Sequence, residues 1–359
     1  MKVGIDAHML GYSSEDESFY RGILDALKPD KGDVYYLFVE KDADISRYRG
    51  KFKVVPFKSN NAFTRNFFEL TSFCYKYDLD VLHTLHYVPF NSPCPVVCTI
   101  NDISFEHEKN KTNGNKIEYL KNKLMTPYCA KHADKVVTVS NISRRDIANT
   151  YDVSQKKNEV VGNAVSSEFR IMDDDELDEL DVRGKYDIGY SPFLLCVGDT
   201  RSEKNILRLI DAYIMYKDRW DTNIRLVIVG NDDLYDDLYE EFEEYEDEII
   251  FAGCRDRLDL AALINESEGY ICPAFVEGAG ISPIEALNCG RPVAVADMPH
   301  AHEELGNRAI YFDPYDEEDI YEGICRLVDD PIEAEIPESS WEDSSRRMKK
   351  IYRDAASEM

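Results

Sequence analysis

The 359-residue sequence predicts two doubly wound α/β domains. Three observations carry that expectation. Short apolar runs alternate with helical stretches along the whole chain. Many of those runs are unbroken Val/Ile/Leu, the pattern of strands covered on both faces. The alternation restarts after an acidic loop near 171–190, and a chain of this length exceeds one ordinary core but suits two.

In the first half the strand candidates are "KVGID" (2–6), "VYYLFV" (34–39), "FKVVPF" (52–57), "DVLHT" (80–84), "PVVCTIN" (95–101), "DKVVTVS" (134–140) and "NEVV" (158–161). In the second half they are "PFLLCVG" (192–198), "IRLVIVG" (224–230), "EIIFAG" (248–253), "GYICP" (269–273), "PVAVAD" (292–297) and "AIYF" (309–312). Residues 203–219 and 255–267 read as intervening helices. Strand–helix–strand alternation on this scale implies parallel sheets with right-handed crossovers. The expected domains are 1–170 and 171–340, with a terminal helical segment at 341–359. Ligands of such sheets sit beyond the carboxyl ends of the strands. The residues there include Asp6, His83, Asn101, Asp102, Ser140, the 199–205 segment, Asn231, Cys254, Glu277 and Asp297.

Composition narrows the class. With 43% hydrophobic and 11% aromatic residues, a well-filled interior is expected rather than disorder. No apolar run approaches the ~20 residues that span a bilayer. Asp6 interrupts the apolar core that a signal peptide would need in "MKVGIDAHML". The nine cysteines are scattered without a CxxC pair, so reduced thiols are expected rather than a disulfide framework or zinc site. A net charge of -28 argues against nucleic acid as a partner. The charge is uneven: residues 1–170 carry 24 Lys+Arg and 22 Asp+Glu, leaving 18 and 48 for residues 171–359. Halves so different suggest domains facing different partners, although a solubilising acidic surface would look the same.

The most informative stretch is "CPAFVEGAGISPIEALNCGRPV" (272–293). A strand ends at Pro273, and "ISPIEALNCG" reads as a helix with Pro283 in its first turn and Gly290 as its C-cap. Between them lies "FVEGAG". Glycines let backbone approach a ligand closely, and a helix N-terminus favours an anion. Phosphate alone does not call for the two acids Glu277 and Glu285, because carboxylates repel it. Carboxylates do accept hydrogen bonds from sugar and ribose hydroxyls. A nucleotide-sugar, with its diphosphate between two polyols, satisfies every part. Glu285 alone reads equally well as an acid stabilised by the helix dipole.

With these residues in place, the stretch resembles the Glu-x7-Glu signature of retaining glycosyltransferases of family 4, whose fold is GT-B. That resemblance implies two Rossmann-like domains facing across a cleft, with the C-terminal helix crossing back to the N-terminal domain. It extends through "VGDTRSEKNILRLIDAY" (197–213), "IRLVIVG", "IIFAGCRDRLDLAALINESEGYICP", "HAHEELGNRAIYFDP" (300–314) and the helical "SWEDSSRRMKKIY" (340–352). In the first half "VGIDAHML", "DVLHTLHYVP", "VVCTINDISF" and "ADKVVTVSNISRRDI" resemble the mannosyltransferase-like subgroup.

The resemblance implies a nucleotide-sugar co-substrate and no cofactor or metal, in keeping with the lack of a His/Asp/Glu cluster of metal-ligand type. Lys204 would meet the donor diphosphate, with Arg201 as a second cation. Gly278, Ala279 and Gly280 would offer backbone N–H groups, Glu277 would contact the transferred sugar and Glu285 the ribose. Cys254 and Asn231, at the ends of neighbouring strands, join the donor side. Asn101, Asp102, His83, His86, Ser140 and Arg144 are the acceptor-side candidates. Two departures fall on that side. The loop after the first strand, "GYSSEDESFYRG", is acidic where many relatives are glycine-rich, and Asn101 stands where many have histidine.

The expected activity is sugar transfer from a nucleotide-sugar donor to a glycan, lipid-linked or other glycoconjugate acceptor, in the cytoplasm. Residues 47–68 carry six Lys/Arg, no acid and several phenylalanines, which suits contact with the inner membrane face as well as an ordinary basic strand and loop. A catalytically weak, glycosyltransferase-like binding subunit and a sugar-nucleotide epimerase of the same fold are the rival readings.

Overall fold

The computed structural model describes residues 1–10, 15–43, 45–59, 61–106, 116–198, 204–230, 242–254, 256–275, 281–337 and 339–358. The chain forms two compact units: Met1–Ala164 with Ser339–Met359, and Val165–Glu338.

All thirteen apolar runs are strands, and every strand pair is parallel. The first unit holds β1 (Lys2–Asp6), β2 (Val34–Val39), β3 (Lys53–Pro56), β4 (Val81–Leu85), β5 (Val96–Thr99), β6 (Lys135–Thr138) and β7 (Asn158–Val160) in the order β3-β2-β1-β4-β5-β6-β7. The second holds β8 (Phe193–Val197), β9 (Arg225–Val229), β10 (Ile249–Ala252), β11 (Gly269–Cys272), β12 (Val293–Ala296) and β13 (Ile310–Phe312) in the order β10-β9-β8-β11-β12-β13. Each sheet is doubly wound, reversing direction of growth beside its first strand. That reversal opens a crevice at the carboxyl ends of β1 and β4, and of β8 and β11. Continuous burial along β4, β5, β11 and β12 explains their uninterrupted apolar runs. These are two Rossmann-like α/β units, as the alternation predicts.

Local chemistry sets the helix ends. In the helix Ile281–Asn288 the chain leaves through Gly290 at φ 75. Gly290 N–H donates to Leu287 O at 3.0 Å and Arg291 N–H to Ala286 O at 3.0 Å, a Schellman closure that needs a left-handed residue. The acidic stretch expected as a loop is instead helical over Asp174–Leu180. Asp173 and Glu176 form a capping box there, which satisfies the free N–H groups. The terminal helix Trp341–Ser357 belongs to the first unit, where Met348, Ile351, Tyr352 and Ala355 are buried at helical spacing. No described helix is long and apolar enough to cross a membrane.

Candidate functional site

In the second unit the helix Arg257–Glu266 begins at Asp256, whose side chain caps it by accepting from Leu258 N at 2.8 Å and Asp259 N at 3.2 Å. The cap places Arg257 on the first turn. Arg257 Nη2 donates to Glu285 Oε1 at 2.9 Å and Nε to Glu168 Oε1 at 3.0 Å. Glu285 is 3% exposed, so its charge stands in a low-dielectric setting and is matched by a cation that still reaches water. Cys254, just past β10, is buried against this cap, its Sγ 3.4 Å from Asp256 O, and burial raises its thiol pKa.

Beyond β8, Lys204 is half-buried and leads into the helix Ile206–Arg219 through Asn205. Asn205 is left-handed at φ 57, a conformation asparagine tolerates better than most residues. Its buried Nδ2 donates to Pro273 O at 3.2 Å and Pro314 O at 2.9 Å, while Oδ1 accepts from Arg208 Nη1 at 3.0 Å. One side chain therefore ties the turn carrying Lys204 to the carboxyl ends of β11 and β13. Arg208 lies over the Phe275 ring, 5.8 Å from its centroid, and Phe275 stacks on Tyr315 at 4.7 Å. The sequence pattern singled out the segment ending at Asn205 but not Arg208. The available signals were the i, i+4 spacing of Lys204 and Arg208 and the asparagine at a helix start.

Arg201, Asn231, Glu277, Gly278, Ala279 and Gly280 lie outside the described residues. Behind the helix Ile281–Asn288, a small cavity is lined by Cys272, Pro283, Val295, His300, Glu304 and Leu305. Burial in these surroundings, with help from the Glu303 charge, pushes the Glu304 carboxyl up to about 7.

In the first unit His83 is 1% exposed and fully engaged. Its Nδ1 is 2.7 Å from Tyr352 Oη, and its Nε2 is 2.7 Å from Thr99 Oγ1 and 3.1 Å from Tyr20 Oη. Burial lowers its pKa to about 3. His83 is thus a core residue that joins β4 to the terminal helix. His86 is exposed and left-handed at φ 53, directly after β4. Asn101 is buried, its carbonyl accepting from Thr138 Oγ1 at 2.7 Å, and Asp102 beside it is half-buried. Ser140 caps the helix Asn141–Tyr151 by accepting from Ser143 N at 3.0 Å, and Arg144 stands one turn further on, half-buried.

A pair of which the sequence pattern pointed only to Asp6 stands at the end of β1. His8 Nδ1 is 2.9 Å from Asp6 Oδ1, which also accepts from His8 N at 3.3 Å. Burial alone would raise the Asp6 pKa, but the His8 charge and hydrogen bonds, with Arg65, bring it below the ordinary value. The i, i+2 Asp–His spacing at a strand end was the readable signal. Among the described residues, no three His, Cys, Asp or Glu side chains could hold a metal ion.

Two family models match the chain: glycosyl transferases group 1 over residues 181–353 and glycosyltransferase family 4 over residues 23–169. The chain is 30% identical over 190 residues to the O-antigen chain mannosyltransferase RfbU of Salmonella typhimurium, a match covering 52% of this chain and 49% of the relative. The chain therefore spans about half the length of that curated relative. It is 22% identical to the alpha-monoglucosyldiacylglycerol synthase of Streptococcus pneumoniae, over 90% of this chain and 79% of the relative. Among solved structures it is similar to a sucrose-phosphate synthase of Thermosynechococcus elongatus, with TM-score 0.74, 16% identity and 100% of both chains covered. That likeness concerns the fold.

Proposed function

The chain belongs to the group 1, family 4 glycosyltransferases, and from that premise we propose that it transfers a sugar from a nucleotide-sugar to a glycan, lipid-linked or other glycoconjugate acceptor, retaining anomeric configuration. One observation supports this reading above the others: Asn205 ties the Lys204 turn to Pro273 O, immediately before the stretch that runs from Glu277 to Glu285. The turn carrying Lys204 is thereby held at the strand end that leads, in sequence, into the acid signature. Lys204 and Arg208 stabilise charge that develops on the leaving diphosphate. Arg201, three residues before Lys204 in the sequence, is the second cation of this reading.

Backbone N–H groups of Gly278, Ala279 and Gly280 hold the diphosphate. Glu277 orients the transferred sugar. Glu285, aligned by Arg257, accepts from a ribose hydroxyl, with Cys254 and Asn231 bordering that end. None of these groups is asked to act as a nucleophile. The acceptor attacks on the face the diphosphate leaves, and the leaving phosphate takes its proton. The first unit supplies the acceptor side, with His86, Asp102 and the Asp6–His8 pair at its strand ends and Arg144 in the first turn of the helix Asn141–Tyr151. The reaction draws on no metal ion. The enzyme works in the cytoplasm, peripherally at the inner membrane face.

The test is a thermal-shift screen against UDP-, GDP-, ADP- and TDP-sugars, repeated with Glu285→Ala and Lys204→Ala. A mannosyl nucleotide is the first to try, given the similarity to O-antigen mannosyltransferases. A rise in Tm with one nucleotide class, lost in both variants, identifies the donor. Nucleoside diphosphate release that requires a glycan or lipid-linked acceptor supports transfer. Donor turned over without that release means an epimerase, and neither shift nor release with any donor means a binding subunit.

A further inference from the structure

The basic stretch 47–68 divides in the fold. Phe52 and Phe57 are core residues, whereas Phe63 and Phe68 are 61% and 63% exposed. The backbone explains the display. Residues Arg65–Glu69 form a π-helical turn, closed by Leu70 N–H donating to Arg65 O. In an α-helix the neighbours of Phe63 would be positions i+3 and i+4, not the i+5 position that Phe68 holds. The wider turn sets two rings against it, Phe67 at 4.5 Å and Phe68 at 6.1 Å. Arg65 anchors the turn from below: it is buried, bonded to Glu40 Oε1 at 2.7 Å, and lies over Phe57.

The aromatic surface continues. Phe67 meets Phe90 at 4.5 Å, and Phe90 meets Tyr128 at 5.1 Å. Tyr128 lies on the helix Lys116–His132 in line with Leu124 and Leu120, at i−4 and i−8. Phe90, Leu120 and Leu124 are all more than half exposed. A chain of apolar side chains this long is not an ordinary solvated surface. It runs through the segments that follow β3, β4 and β5. Its charge runs against that of the protein: residues 119–132 carry Lys121, Lys123 and Lys131 and no acid, in a chain of net charge -28. Apolar rings flanked by lysines complement an anionic, partly apolar surface.

We propose that Phe63, Phe68, Phe90, Leu120 and Leu124 form a docking surface for an anionic lipid bilayer. It seats the first unit with its rings at the acyl boundary and its lysines among the headgroups. This deepens, and rests on, the reading of a peripheral membrane enzyme.

The test uses the full chain and sucrose-loaded vesicles of phosphatidylcholine, alone or with about one part in four phosphatidylglycerol. Phe63→Ser/Phe68→Ser and Phe90→Ser are compared with Tyr190→Ser, a fully exposed tyrosine of the second unit. Unchanged melting curves show that the variants fold. The expected result is co-sedimentation favoured by the anionic lipid, unaffected by Tyr190→Ser and reduced on the order of tenfold in the double variant. Wild-type binding retained in full by both Phe variants would overturn the surface and leave peripheral membrane binding standing. Absence of wild-type binding would overturn both. Self-association without vesicle binding, abolished by Phe63→Ser/Phe68→Ser, would assign the face to a second copy of the chain.

Discussion

Arg257 Nη2 stands 2.9 Å from Glu285 Oε1 and is bonded through Nη2 to Ser166 Oγ at 3.3 Å as well. The guanidinium thus holds the buried acid in one orientation while remaining 41% exposed itself. On the proposed function Arg257 is a positioning residue that acts on donor through Glu285. Arg257→Met removes a charged donor from a buried acceptor and is expected to cost about 1–3 kcal/mol of stability. It should also weaken donor affinity roughly tenfold, which corresponds to about 1.4 kcal/mol, with partial rescue by Arg257→Lys. Calorimetric titration of donor into each variant checks this. Donor affinity unchanged in Arg257→Met but lost in Glu285→Ala would show that the arginine serves stability alone.

Asn205 makes two demands on its position, a left-handed backbone and three side-chain hydrogen bonds. Asn205→Gly meets the first and fails the second; Asn205→Ala fails both. Alanine should therefore be less stable than glycine by about 1 kcal/mol, reversing the usual helix-favouring order. Both variants should lose turnover, because the turn carrying Lys204 is no longer tied to Pro273. Arg208→Ala should lower kcat on the order of 10²-fold with little change in Tm, as loss of a charge-stabilising donor does. Urea melts and steady-state kinetics on the three proteins separate these effects. Equal stability of the glycine and alanine variants would remove the strain argument.

The strands were readable because parallel sheets buried on both faces leave uninterrupted apolar runs, as in "VVCT" and "VAVA". Gly290 was readable because helix closure by Gly290 and Arg291 N–H groups has a local signature. His83 was not. A histidine at a strand end looks the same in sequence whether it faces ligand or core, and its partners Tyr20, Thr99 and Tyr352 are far apart in the chain. The π-helical turn was hidden for a related reason. What stabilises it is the ion pair of Arg65 with Glu40, from the end of β2, and no local pattern encodes that.

Glu304 supplies a pH test. Its folded-state carboxyl is raised from 4.5 to about 7 by burial and by Glu303. A raised acid binds its proton more tightly in the folded state, so this contribution to stability is complete below about 4.5 and is lost as pH rises through about 7. Glu304→Gln keeps the shape and cannot ionise. The Tm difference between variant and wild type should widen in favour of the variant between pH 5 and 8, then level off. The ionisable side chains nearest in sequence are Glu303 and His302, and the Glu303 charge contributes to the shift, so Glu303→Gln serves as the companion variant. A Tm difference independent of pH would show that Glu304 ionises freely.

Gly22 sits inside the helix Glu15–Ala26, where alanine ordinarily gains about 1 kcal/mol over glycine. Here the order should invert. A Cβ on Gly22 would run into the Trp341 ring at Cε2, Cδ2 and Cζ2, because the first residue of the terminal helix occupies that spot. Trp341 also meets Phe19 edge-on at 6.1 Å, so the indole has little room to withdraw. Gly22→Ala should cost about 1–3 kcal/mol through overpacking. Trp341→Ala should lose less when combined with Gly22→Ala than the two single losses add up to, since the pair share one clash. Limited proteolysis reports the site of the damage: the terminal helix should become cleavable in Gly22→Ala before the sheet of the first unit does. A Gly22→Ala protein as stable as wild type would mean that the terminal helix is not held by this contact, and that the Lys349–Asp30 pair and the Tyr352–His83 bond suffice to dock it.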